Sequence, residues 1–100
     1  MPPARLSESE LDEALASVPS RRHDGGHLRR TLRFADFETA IGFMVAVAPH
    51  ARELNHHPEW SNVYATVEVA LTTHDVGGLS SLDIELAGRI DGLVTRFGGR

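Results

Sequence analysis

The sequence predicts an α+β domain, a four-stranded antiparallel sheet with three helices packed on one face. Three observations carry that expectation. Apolar residues recur at helical spacing in three segments, and the stretches between them alternate with period two. Turn chemistry at Asp24-Gly25-Gly26 and Gly77-Gly78 punctuates the pattern. Capping residues stand ahead of each helical stretch. The order along the chain is helix, two strands, helix, two strands, helix, and residues 1–100 are expected to form a single domain.

The first helix is expected over residues 7 to about 17. Ser7 and Glu10 have capping-box spacing, Leu11, Leu15 and Val18 recur at helical intervals, and Pro19 stops the run. Asp24-Gly25-Gly26 supplies the positive-φ residues of a tight hairpin turn. In the strand that follows, Leu28, Arg30, Leu32 and Phe34 share one parity, and Arg29, Thr31 and Arg33 share the other. Arg30 is thus a charge on the apolar side, expected at the sheet edge or paired.

Asp36 is a good N-cap for the second helix, whose apolar stripe reads as Phe37, Ala40, Ile41, Met44, Val45 and Ala48. Pro49 interrupts it. An interior proline costs about 3 kcal/mol, so a kink or break is expected there, with a further turn to about Leu54. Residues 59–74 read as strand. Ser61, Val63, Ala65, Val67, Val69, Leu71 and Thr73 should face the helices; Trp60, Asn62, Tyr64, Thr66, Glu68, Ala70, Thr72 and His74 should face solvent, a partner or a site. That is long for one strand, and a turn near residues 62–65 is expected to divide it. Ser80 caps the last helix with Asp83 at its third position. Leu86, Ile90, Leu93, Val94 and Phe97 form its apolar face, and Gly98-Gly99 ends it.

The formal charge is −4, and all ten basic residues are arginines. That balance argues against a nucleic-acid binder, which needs a basic footprint for phosphates. The local cluster Arg21, Arg22, Arg29, Arg30 and Arg33 reads as a solvated strand face. With no cysteine, disulfides, thiolate zinc sites and cysteine nucleophiles are excluded. The N-terminus shows no apolar leader, and the longest apolar run, residues 41–48, is too short to span a bilayer. A soluble, cytoplasmic protein without membrane contact is expected.

Of six histidines, three stand out. His56-His57-Pro58 lies between the second helix and the following strand, and proline pushes His57 toward an extended backbone. His74 ends that strand. Imidazole is the side chain whose unperturbed pKa, about 6.5, lets it give or take a proton near neutrality. The same residues also fit a polar strand end and a hydrogen-bonded loop. Adjacent histidines are poor zinc partners, and no His-x-x-x-His spacing occurs, so no metal site is expected. His23, His27 and His50 read as surface residues. Asp83 suits a first-turn cap, which does not prevent contact with a substrate. Trp60 and Tyr64 fit either packing or the wall of a pocket for a flat heterocycle. The residues alone therefore reach an α+β domain with a candidate histidine acid/base site, and no substrate.

The run Asn55-His56-His57-Pro58-Glu59-Trp60, followed by Asn62-Val63-Tyr64, Leu71-Thr72-Thr73-His74, Gly78-Leu79-Ser80, Asp83 and Leu86-Ala87, resembles the pterin-4a-carbinolamine dehydratase family. The likeness extends upstream through residues 30–40 and covers roughly residues 28 to 91. It implies the helix and strand order read above, dimers built by extending the sheet, and often tetramers. It also implies a reaction, loss of water from a 4a-hydroxytetrahydropterin to give a quinonoid dihydropterin, which recycles tetrahydrobiopterin after aromatic amino-acid hydroxylation. A hydroxylase of that pathway would then be a functional partner. No cofactor or metal is implied. By resemblance His56 and His74 transfer protons, His57 orients the pterin, and Trp60, Thr73 and Asp83 contact the substrate. Three features depart from the family pattern: Pro19-Ser20-Arg21-Arg22 stands where a tryptophan is usual, Arg52 where an acid is common, and Pro49 within a helix normally unbroken. Two other readings remain open at this stage. One is a non-catalytic dimerisation or assembly module on the same scaffold; the other is a metal- or anion-binding protein.

Overall fold

A computed structural model of the chain describes residues 3–100. Along them run α1 (Glu8–Leu15), β1 (Arg22–Asp24), β2 (His27–Arg33), α2 (Phe37–Leu54), β3 (Glu59–Val63), β4 (Thr66–Leu71), a 3-10 turn (His74–Val76) and α3 (Ser81–Arg96). The strands form one antiparallel sheet in the order β1-β2-β4-β3. The α+β arrangement of three helices and four antiparallel strands is the one expected. Among the described residues, no helix is long and apolar enough to cross a membrane.

Local chemistry starts the helices where the sequence indicates. Ser7 and Glu10 form a reciprocal capping box at α1, and Asp36 accepts a 2.8 Å bond from the Thr39 N–H at α2. Thr39, through its side-chain hydroxyl first and this backbone bond second, holds the Asp36 carboxyl below its ordinary pKa. Gly25 and Gly26 both take positive φ in the β1–β2 turn, which β-carbon-bearing residues adopt only at a cost. α1 ends at Leu15, short of the expected residue 17. The Ser17 hydroxyl and backbone N–H both turn back onto the Ala14 carbonyl, and Val18 folds into the core.

The core lies between the sheet and α2 and α3. Leu28, Leu32, Val67 and Leu71 come from the sheet, Phe43 and Val47 from α2, Leu86 and Ile90 from α3, and all are fully buried. Each such side chain contributes about 1.5–3 kcal/mol on leaving water. Leu11 and Leu15 pack α1 against the same cluster.

Four local expectations are corrected. The buried stripe of α2 is Ala40, Phe43, Val47 and Ala51, while Phe37 and Val45 of the expected stripe are 44% and 66% exposed. α2 is apolar on two sides, so its period alone does not choose the inward one. Second, α2 runs unbroken through Pro49. The proline removes the bond to the Val45 carbonyl, and both residues face water, which can take that carbonyl.

Third, the facing of β3 is inverted. The two-residue turn Tyr64-Ala65 sets Val63 opposite Thr66, so Trp60 lies across from Val69 and Asn62 from Val67. Trp60 and Asn62 therefore share the helix-side face, and Val63 is exposed. A strand continued straight keeps its parity; a hairpin pairing odd positions with even ones exchanges it. Fourth, β4 stops at Leu71, and His74 opens the 3-10 turn instead of ending a strand. Thr73 pairs back onto Gly78, which closes this loop. Arg30, the charge on the apolar side, is paired: its Nη1 lies 2.6 Å from Asp91 Oδ1, and Arg21 reaches the same oxygen. Two members of the arginine cluster are thus clamped onto α3, and Arg22 and Arg33 face solvent.

Replacing Pro49 restores a helical N–H at an exposed position without disturbing the core. Pro49→Ala is expected to stabilise the protein by about 1–3 kcal/mol, read from denaturant or thermal unfolding. An unchanged or lower midpoint would show that the missing bond costs nothing there.

Candidate active site

The end of α2 delivers the first two histidines. Asn55 takes the left-handed conformation that asparagine tolerates, closes the helix as its C-cap, and turns the chain out. The His56 N–H still bonds to the Ala51 carbonyl at 3.0 Å, so His56 stays close to the helix end. Pro58 then holds His57 extended into β3.

His56 is anchored by a buried carboxylate. Its Nε2 lies 2.6 Å from Asp83 Oδ1, and Asp83 has no exposed side-chain surface. Asp83 Oδ2 accepts from the Thr73 hydroxyl at 2.7 Å and from the Ser80 N–H at 3.0 Å. Thr73 Oγ1 also lies 2.7 Å from Ser80 Oγ. The single Thr73 proton goes to Asp83, so Ser80 donates to Thr73. With Asp83 accepting throughout, His56 Nε2 is the donor and Nδ1 is left as its free nitrogen. One residue thus caps α3, ties down the loop after β4 and fixes the His56 ring.

Asn55, His56, His57, Thr72, Thr73, His74 and Asp75 line one cavity of about 270 Å³. A neighbouring depression of about 530 Å³ shares Asn55, His56, Thr73 and Asp75 with it. Together they fall in the size range of small-molecule sites, about 300–1,000 Å³. His56, His57, His74 and Thr73 are therefore brought together, with Asp83 directly behind. His56 is almost buried, whereas the His74 side chain is 76% exposed. Trp60 lies outside this cavity. It packs against the core and borders a separate groove of about 420 Å³, with Arg22, His27, Arg29 and Glu59. Tyr64 sits at the tip of the β3–β4 turn.

A family model described as pterin 4 alpha carbinolamine dehydratase matches residues 4–93. The chain belongs to this family. Its members are hydro-lyases by name. A protein of Burkholderia cenocepacia named as a pterin-4-alpha-carbinolamine dehydratase is 60% identical over 93 residues, covering 91% of this chain and 91% of its own length. One of that name from Novosphingobium aromaticivorans is 55% identical over 86 residues, covering 84% of this chain and 90% of its own. Among solved structures, a transcriptional coactivator/pterin dehydratase from Brucella melitensis superposes with a TM-score of 0.84 at 43% identity, covering 89% of this chain and 97% of the other. A pterin dehydratase-like RuBisCO assembly factor of the alpha-carboxysome shares the fold, with a TM-score of 0.61 at 19% identity, covering 73% and 84%.

The departures from the family pattern all lie away from the histidine cavity. Arg52 borders a groove on the outer side of α2 with Val45, Ala48, Pro49 and Glu53. Arg21, in the stretch that usually carries tryptophan, has a fully buried side chain clamped to Asp91. Burial lowers its guanidinium pKa and the aspartate opposes that shift.

Sequence reasoning passed over two residues beside the site. Glu59 lies at the start of β3 with its Oε1 3.0 Å from His27 Nε2 and its Oε2 3.7 Å from His74 Nε2. His27 reads as a surface residue in the sequence because nothing in its spacing links it to His74. Only the strand order, which sets β2 beside β4, does so.

The buried network around Asp83 makes a stability test direct. Asp83→Ala removes a cap and strands the Thr73 hydroxyl and the Ser80 N–H. It is expected to cost about 3 kcal/mol or more in unfolding free energy. A loss below about 1 kcal/mol would mean that the carboxylate does not organise this loop.

Proposed function

We propose that the chain dehydrates 4a-hydroxytetrahydropterin to quinonoid dihydropterin by histidine acid/base catalysis. The observation that supports this most is the meeting of His56, His57 and His74 on one cavity, with His56 held by buried Asp83, in a chain of this family. The reaction breaks the C4a–O bond and forms a C4a=N5 double bond. Hydroxide leaves poorly, so an acid protonates the 4a-oxygen, which departs as water, while a base takes the N5 proton. Two groups suffice, one that gives a proton and one that takes one, and a positioned acid or base is worth about 10²–10⁴ in rate.

His56 and His74 are assigned these two transfers, and His57 orients the pterin. His56 offers Nδ1, since Nε2 is committed to Asp83. Asp83 keeps that ring in one tautomer and one orientation, as an orienting carboxylate does in a catalytic triad. Thr73 takes part by holding Asp83 and by lining the cavity. The product serves tetrahydrobiopterin recycling in the cytoplasm, downstream of an aromatic amino-acid hydroxylase.

A homodimer or homotetramer is part of the proposal. β3 is an edge strand of the four-stranded sheet, and Phe37 and Val45 leave α2 with exposed apolar surface. Sedimentation equilibrium should return two or four chain masses; a monomer at tens of micromolar would count against it.

The activity test is a stopped-flow assay on freshly generated 4a-hydroxytetrahydropterin. Wild-type protein should accelerate its decay, and His56→Ala and His74→Ala should each slow turnover at least tenfold. Full turnover in both variants would remove the proton-transfer roles. No acceleration by the wild type would favour a scaffold without catalysis.

A further inference from the structure

We propose that Glu59, itself held by His27, is a positioning residue for His74, so that a second histidine–carboxylate pair stands beside the cavity in addition to His56–Asp83. The inference rests on the histidine-catalysed dehydration proposed above.

The geometry comes from three segments distant in sequence. Glu59 Oε1 lies 3.0 Å from His27 Nε2, and Oε2 lies 3.7 Å from His74 Nε2. The two imidazoles stand edge-on, with centroids 6.5 Å apart and planes at 75°, on either side of the one carboxylate. His27 is held at its other end as well, with Nδ1 3.3 Å from the Gly25 carbonyl in the tight β1–β2 turn. Both of its nitrogens therefore face acceptors, which holds the ring between the β1–β2 turn and Glu59.

The 3.7 Å separation is an ion-pair distance and too long for a hydrogen bond. Catalytic contacts are commonly long without substrate and tighten when it binds. Engagement of His74 Nε2 by Glu59 leaves Nδ1 as the free nitrogen, the same arrangement that Asp83 imposes on His56. The two pairs differ in setting. Asp83 is buried, whereas Glu59 is 54% exposed and His74 76% exposed. Exposed ion pairs add little to stability, so this contact has small consequences for folding and larger ones for the orientation of His74.

The test is a kinetic cycle on the full chain with 4a-hydroxytetrahydropterin. Glu59→Ala should lower kcat about tenfold with KM changed less than about twofold, and Glu59→Gln should fall between it and wild type. His27→Ala should lower kcat about threefold, and this effect should vanish in a Glu59→Ala background, because His27 acts only through Glu59. Glu59→Ala should add nothing in a His74→Ala background. Ring-nitrogen NMR should show the His74 signals moving in Glu59→Ala while those of His56 stay in place. Wild-type kcat in Glu59→Ala, an undiminished Glu59 effect without His74, or unmoved His74 signals would each overturn the proposal while leaving histidine catalysis intact. Full turnover in His74→Ala would overturn the underlying reading and the proposal with it.

Discussion

The buried carboxylate of Asp83 is the constraint on which the site depends. A fully buried acidic group is tolerated only when its oxygens are occupied by donors, because desolvation otherwise costs several kcal/mol. Here three donors meet it: the Ser80 N–H at the start of α3, the Thr73 hydroxyl after β4, and His56 Nε2 at the end of α2. Satisfying Asp83 forces those three segments to converge. The cavity is thus a by-product of a hydrogen-bonding requirement, and the residue that stabilises the fold there also sets the His56 tautomer.

Much of this was legible in the sequence where a short-range rule applied. Ser7 with Glu10, Asp36, and Ser80 with Asp83 fix helix starts through contacts three residues apart. Asp24-Gly25-Gly26 fixes a turn because only certain residues take positive φ cheaply. The histidine–histidine–proline segment and His74 were visible as residue types. What was hidden needed distances across the sheet. The inward face of α2 is decided by where the sheet lies, since Phe37, Ile41 and Val45 are as apolar as the stripe that was buried. The facing of Trp60 turned on whether two or three residues form the β3–β4 turn. His27 and Glu59 meet only because β2 and β3 both flank β4.

The two sides of the cavity are held differently, and the difference suits a substrate that must enter and leave. His56 is fixed from behind by a network in which Asp83 and Ser80 are fully buried, so its ring has little freedom. His74 opens a short 3-10 turn tied at its base by the Thr73–Gly78 bridge, with most of its side chain in water. In the proposed reaction, pre-organisation of His56 would lower the entropic cost of reaching the transition state. The exposed His74 ring would leave room for a bicyclic substrate to enter.

The β3–β4 hairpin explains why these imidazoles share a site at all. The chain leaves α2 at Asn55, runs out along β3, turns at Tyr64-Ala65, and returns along β4 to Thr73 and His74. The register sets Glu59 opposite Ala70 at the open end of the hairpin, so the residues just before β3 and just after β4 leave the sheet at the same end. Equal arm lengths therefore bring the histidine pair and His74 back to one end of the sheet. Asn62 guards that length, its side-chain amide donating to the carbonyls of Tyr64 and Thr66 at 3.0 Å each. A slip of one residue would carry His74 about 3.3 Å along the strand and turn alternate side chains to the opposite face. The hairpin's register is thus as much a part of the candidate site as the imidazoles themselves.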